Sequence, residues 1–329
     1  MDLSIVIGNA LREAFGPQAA WYCLLVIGLN VHFGYTGLAN FGQVGFALVG
    51  AYGTGIAVAT LGWSLWPAIL FGMLLSVGLS LLLGAPTLRL RGDYFAIVTI
   101  AAAEILRLVV RSNELRGVTG GPFGLQNLAR EFQALNPFDS NLVIFGTWRY
   151  RADELWSGLV TWALVGVATL VVWLLMRSPW GRVIKSIRED QDAARSLGKN
   201  VYAYKMQSLI LGGLLGSLGG VMLTLQTSTV NDVTFVPRVT FFAYAILIMG
   251  GAATTFGPIL GSFAFWSIFV GLQSLLPQLV ATGLLPGFLG RSDSVSAISF
   301  AAVGLAIMVL MVFRPQGVLG NRRELMLSA

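Results

Sequence analysis

Long apolar runs recur along this chain, separated by short polar or glycine-rich stretches. They lie at roughly 19–33, 43–61, 64–84, 94–110, 156–176, 206–225, 239–252, 258–277 and 295–313, and most approach the roughly 20 residues that a helix needs to cross a hydrocarbon core. The first and seventh are short. The runs are continuously apolar and lack the alternation of outer-membrane strands, so they predict helices rather than a barrel. Residues 3–15 carry Arg12 and Glu13, which would let them lie along the membrane interface instead of crossing. The start lacks a basic stretch followed by a long apolar one, so no cleavable leader is expected. The pattern reads as an all-α polytopic membrane protein with about nine or ten transmembrane helices, forming a single transmembrane domain over residues 1–329.

One stretch breaks the pattern. Between Arg177 and Lys205 the sequence places seven basic residues (Arg177, Arg182, Lys185, Arg188, Arg195, Lys199, Lys205) and three acidic ones (Glu189, Asp190, Asp192), in a chain that is 11% charged. Read as one helix from Trp180, its apolar Ile184, Ile187, Ala194 and Leu197 share a stripe while the charges point elsewhere, and Gly198 ends it. Segment 177–205 is therefore expected to face water and to seat its apolar side on a soluble partner.

Composition agrees with the pattern, at 56% hydrophobic residues and a mean hydropathy of +0.76. The net charge of +6 invites a nucleic-acid reading, but its distribution is topological. The excess sits in the 85–93 connection (Arg89, Arg91), in 177–205 and in the tail (Arg314, Arg322, Arg323), which the positive-inside rule assigns to the cytoplasm. Segment 112–154 and the turns around Asp232/Arg238 and Arg291/Asp293 balance their charges and are expected outside, the first as a structured extracytoplasmic loop. Cys23 is the single cysteine and lies in an apolar run, so no disulfide framework is expected.

Groups able to do chemistry are few. One His (His32) and one Cys cannot supply a zinc site, and no acid–base constellation suggests a catalytic residue. Glu104 is an acid inside an apolar run, with Arg107 at helical spacing; the two read as a structural ion pair, against the alternative of a proton-carrying acid. No phosphate-binding loop exists, because Gly198-Lys199 has Ala193 where the first glycine belongs, so any ATP must be bound by a partner. Tyr35, Thr36, Asn40 and Gln43 interleave with Gly34, Gly37 and Gly42; such a helix break suits a translocation path or its gate, and equally a plain turn. Thr119, Gly120 and Gly121 punctuate the outer loop, either as a docking point or as ordinary loop surface. Asn40-Phe41-Gly42-Gln43 resembles Thr255-Phe256-Gly257-Pro258, as an internal duplication would leave. Gly212, Gly216 and Gly220 carry the small-residue spacing of close helix packing. A self-sufficient channel or secondary carrier remains the rival class.

Three phrases resemble a known family: Gly34-Tyr35-Thr36-Gly37-Leu38; Arg89-Leu90-Arg91-Gly92-Asp93-Tyr94-Phe95 with Glu104-Ile105-Leu106-Arg107 and Thr119-Gly120-Gly121-Pro122; and Gly181-Arg182 through Ile187-Arg188-Glu189-Asp190, Ala193-Ala194 and Ser196-Leu197-Gly198. The chain is similar to the LivM-type permeases of branched-chain amino acid ABC importers. The closing Arg314-Pro315-Gln316-Gly317-Val318-Leu319 extends the likeness to nearly the whole chain. The resemblance implies a permease fold of that type in the bacterial cytoplasmic (inner) membrane, with the C-terminus in the cytoplasm. It also implies a LivH-type second permease subunit, two cytoplasmic ABC ATPases that bind the ATP and Mg, and an extracytoplasmic solute-binding protein. Glu189, Ala193, Ala194 and Gly198 match by position the motif that meets the ATPases, within a segment that also holds Arg182, Ile187, Asp190 and Leu197. Asn40-Phe41-Gly42-Gln43 stands where many relatives have Ser-Leu-Gly-His, so urea and amide importers of the same permease type stay open beside branched-chain amino acids.

Overall fold

The computed structural model describes residues 3–88, 92–138, 142–145, 148–282, 286, 292–314 and 316–320. Arg89, Leu90, Arg91, Asp139, Arg291, Pro315, Arg322, Arg323 and Glu324, which carry part of the charge and motif reading, lie outside them.

Each apolar run is a helix. In chain order these are α1 (Leu3–Ala14), α2 (Pro17–Leu29), α3 (Gln43–Ala59), α4 (Leu65–Thr87) and α5 (Gly92–Arg111); short α6 (Arg116–Thr119) and α7 (Arg130–Ala134) follow; then come α8 (Ala152–Arg177), α9 (Pro179–Glu189), α10 (Gln191–Ser196), α11 (Val201–Thr227), α12 (Arg238–Gly250), α13 (Gly257–Ala281) and α14 (Ser292–Phe313). Local signals explain several limits. Pro17 and Pro179 sit in first turns, where a missing N–H costs nothing, and α8 has Asp153 and Glu154 at its start and Arg177 at its end, matching the helix dipole.

The expected number of spans is not reproduced by length and composition. Among the described residues, five helices are long and apolar enough to cross a membrane: α4, α8, α11, most of α13 and most of α14. A sixth crossing exists if α1 and the α2 helix, bent by 43° at their junction, count as one broken span. α1 packs along α13, where Asn9 Nδ2 lies 3.4 Å from Ser274 Oγ. α3 and α12, at 17 and 13 residues, are short for a bilayer, and α5 carries Glu104 and Arg107 within its length.

α11 is the central helix, wrapped by α2, α3, α4 and α8. Its glycines permit this: a Cβ on Gly220 would lie 2.0 Å from the Ala47 carbonyl of α3, so the backbones touch directly. Outer helices turn apolar side chains outward, with Leu74 and Leu82 of α4, Leu170 of α8 and Met308 and Val312 of α14 all more than half exposed, as lipid-facing residues are.

The connections sort to two ends. At one end gather α9 and α10, the breaks at 34–42 and 251–256, and residues 316–320, where Val318 and Leu319 donate backbone N–H groups to Met249 and Gly250. At the other, the 112–138 loop closes on the 228–235 turn through paired strands β1 (Leu125–Gln126) and, after the hairpin of β2 (Leu142–Phe145) and β3 (Trp148–Arg151), β4 (Thr229–Val230).

Candidate functional site

The end that holds the charged segment contains a helix that loses its register. Past Leu29, α2 widens into a π-turn over Asn30–Tyr35 and then stops; Gly37 takes a left-handed conformation (φ +73°), and α3 begins at Gln43. Within this break the polar side chains are satisfied by their own fold. Asn40 Oδ1 accepts from the Gly42 N–H at 2.9 Å, which fixes its amide orientation, so Asn40 Nδ2 donates to His32 Nδ1 (3.0 Å) and to Gln43 Oε1 (3.1 Å). His32 is thereby neutral and protonated on Nε2, which donates to the Leu209 carbonyl of α11 at 3.1 Å. Gln43 Nε2 donates to the carbonyls of Gly212 (3.0 Å) and Leu25 (3.3 Å), and Thr36 Oγ1 donates to the Val31 carbonyl and meets Ser208 Oγ.

Of the residues expected at a path or gate, Tyr35, Thr36, Asn40 and Gln43 are all buried, at 2, 2, 0 and 0% exposure. In this conformation Thr36, Asn40 and Gln43 lock α2, α3 and α11 together, while the Tyr35 hydroxyl lies 3.4 Å from Thr255 Oγ1. A fully paired polar network of this kind specifies one packing arrangement, because any slip leaves several buried groups unpaired.

A second break faces the first. α12 ends at Gly250, and the chain turns through Gly251 (φ +109°) before α13. Asn30 binds it like an extra peptide group: its Nδ2 donates to the Thr254 carbonyl at 2.8 Å, and its Oδ1 accepts from the Ala253 N–H at 2.9 Å. The two phrases suggestive of duplication thus open α3 and α13 beside these breaks.

The charged segment is two helices, which corrects the single helix expected from Trp180. Asp190 is extended (φ −152°, ψ 107°), ends α9 and begins α10, and its Oδ1 accepts from the N–H groups of Asp192 (2.8 Å) and Ala193 (3.0 Å). Those two donors hold its carboxyl below the usual carboxylate range. Because the helical phase restarts there, Ile184, Ile187 and Ala194 are buried but Leu197 is 79% exposed, contrary to its place on the expected stripe. Arg182, Glu189, Asp190, Ala193, Leu197 and Gly198 all lie on the exposed side. Gly198 closes α10 with φ +75°, a conformation that suits glycine. Arg188 reaches back from α9, its Nη1 donating to the Gly34 carbonyl at 2.7 Å and its Nη2 to Glu189 Oε1 at 2.8 Å.

At the far end, Arg107 Nη2 lies 2.6 Å from Glu104 Oε1, and Arg107 Nη1 lies 2.9 Å from Asp232 Oδ2. Asp232 is 1% exposed, so the arginine answers a buried carboxylate on another element. Thr119 Oγ1 donates to the Val110 carbonyl at 2.7 Å, with the Leu115 carbonyl also near at 3.0 Å, and accepts from the Gly121 N–H; with Gly120 and Gly121 both left-handed, this is a tight turn whose exposed neighbours are Val118 and Phe123. Among the described residues, no group of three His, Cys, Asp or Glu side chains could hold a metal ion.

The sequence model of the family described as "Branched-chain amino acid transport system / permease component" matches residues 15–312. The chain belongs to that family. The high-affinity branched-chain amino acid transport system permease protein LivM of Escherichia coli K12 is 29% identical over 312 residues, covering 92% of this chain and 68% of that one. A probable LivM of Methanocaldococcus jannaschii is 23% identical, covering 92% and 91%. The nucleoside ABC transporter permease protein NupC of Lactococcus lactis is 27% identical over 84% of each chain. The family is one of transport-system permease components, and the relatives similar to this chain are named for more than one solute class.

Several residues important to this permease fold were not singled out by sequence reasoning. Asn30 and Ser208 gave no signal, being single polar residues in apolar runs. Asp232 was placed in a charge-balanced turn, and Arg188 was counted with the other basic residues; the contacts that distinguish them cross 125 and 154 residues.

Proposed function

We propose that this chain is the transmembrane permease subunit of an ATP-driven importer, moving amino acids, branched-chain ones foremost, that a binding protein delivers. In this reading it pairs with a LivH-type permease in the bacterial inner membrane and sits on two cytoplasmic ATPases, which hold the ATP and Mg. Segment 177–205 and the C-terminus face the cytoplasm; segment 112–154 faces the binding protein, with the Thr119–Gly121 turn presenting Val118 and Phe123. The observation that carries the reading is the α9–α10 pair: an exposed, charged helix pair, with Leu197 as an exposed apolar residue and Glu189 as an exposed acid, tied directly to the broken α2 helix. ATP-driven closure of the ATPases would rock the helices between inward- and outward-open states, with the His32–Asn40–Gln43 lock forming the inner gate.

The similarity to a nucleoside permease gives a second reading of the cargo, beside urea and amides. Uptake into proteoliposomes bearing the complete transporter decides among them, with leucine, isoleucine and valine offered against urea, an aliphatic amide and a nucleoside. Saturable, ATP-dependent uptake of leucine is expected. Gly198→Pro, which cannot hold φ +75°, and Glu189→Lys should each abolish stimulated hydrolysis and uptake while the chain stays in the membrane. Transport by this chain without ATPases would establish the secondary-carrier reading instead.

A further inference from the structure

We propose that Arg188 is the positioning residue through which movement of the α9–α10 segment reaches the broken α2 helix, acting on the Gly34 carbonyl and steered by Glu189. The proposal rests on the reading above that ATPases bind this segment.

Gly34 lies in the closing turn of α2, where carbonyls run out of following amides and the helix dipole leaves partial negative charge. A cationic donor answers both needs, and Arg188 Nη1 meets this carbonyl at 2.7 Å. The arginine stem also covers Gly37, since a Cβ there would lie 3.2 Å from Arg188 Cγ. On its other side the same guanidinium is held by Glu189 Oε1, from Nε at 3.2 Å and Nη2 at 2.8 Å. The planar fork thus spans a fixed backbone oxygen and an exposed carboxylate. Burial grades along this line, with the Arg188 side chain at 20% exposure and Glu189 at 37%.

A basic group on a docking protein would compete for Glu189 and turn the guanidinium, loading the Gly34 carbonyl. Gly34 abuts Asn30 and Ala253, the amide and backbone that clasp the two breaks together. The path from Glu189 to Arg188, Gly34 and Asn30 therefore connects the water-facing surface to both breaks in three contacts. Other contacts of α9 with this turn are less directional: Lys185 Nζ stands 5.8 Å from the Tyr35 ring, and Ile184 packs as an apolar side chain.

The test uses the complete transporter in proteoliposomes with leucine-loaded binding protein as probe, comparing wild type, Arg188→Gln, Arg188→Lys and Lys185→Gln. Three quantities are measured: ATPase co-purification, basal and stimulated ATP hydrolysis, and amide hydrogen exchange on trapping ATP. Arg188→Gln should keep its ATPases and basal hydrolysis but lose stimulation and about tenfold or more in uptake. In that variant ATP should still alter exchange in 191–199 but no longer in 34–42. Arg188→Lys should recover part of both responses, and Lys185→Gln should resemble wild type. Normal stimulation together with an ATP response in 34–42 for Arg188→Gln would overturn the proposal. Loss of the ATPases from Arg188→Gln would do so too, by making Arg188 a docking residue. Wild type that purifies without any ATPase would instead overturn the importer reading, and this proposal with it.

Discussion

Arg107 shows how one side chain can serve two carboxylates with different demands. Glu104 is one helical turn away and 35% exposed, whereas Asp232 is 1% exposed and arrives from the turn after α11. Removing Arg107 leaves the buried Asp232 with only the exposed Arg111, 3.9 Å away, as a cationic partner and costs about 3 kcal/mol, while neutralising Glu104 removes a partly solvated pair worth under about 1 kcal/mol. Thermal unfolding in detergent should therefore rank Arg107→Met well below Glu104→Gln, and Arg107→Met combined with Asp232→Leu should recover most of the loss. Equal effects of the two single changes would overturn this division of labour. If Glu104 carried protons, Glu104→Gln would also change the dependence of uptake on the proton gradient at constant ATP; no change is expected. The Glu104–Arg107 pair was legible because helical spacing is a local signal. Asp232 was not, since its partner is fixed only when the 112–138 loop and the 228–235 turn close on each other.

At the scale of elements, charge density in 177–205 marked an exposed helical segment, but periodicity across eighteen residues hid its division at Asp190. The local signal was present: an Asp followed by Gln191 and Asp192 is an N-cap with an acid in the first turn. Its pH behaviour follows from the lowered carboxyl. The folded state favours the ionised form, so its contribution is complete above the unfolded carboxylate range and is lost as pH falls through the lower folded value. Protection factors for the Asp192 and Ala193 amides should accordingly drop on acidification in wild type. In Asp190→Ala they should be low at neutral pH and show no further acid step. An unchanged acid step in that variant would assign the titration to another group.

For the whole molecule, the apolar pattern revealed a predominantly helical membrane protein, and every expected run proved to be a helix. The crossing count was less legible, because α3 and α12 are short and the first span is broken, so length and composition alone admit five or six. Orientation rests on charge, and the sorting of loops to two ends makes it testable. Cys23 is fully buried, so single cysteines can be introduced against a quiet background. In intact cells an impermeant thiol reagent should reach Asn113→Cys but not Ser196→Cys; on inverted vesicles the pattern should reverse. Labelling of Ser196→Cys from outside would invert the proposed topology. The clasp at Asn30 has a further consequence. Its oxygen receives from one residue and its nitrogen gives to the next, so it completes a miniature ladder rung between chain segments more than two hundred residues apart. Neither an acid, which cannot donate, nor a hydroxyl, which is too short, can copy both halves of that rung. The end of α2 and the turn between α12 and α13 therefore share one keystone, a single amide that holds both sides at once.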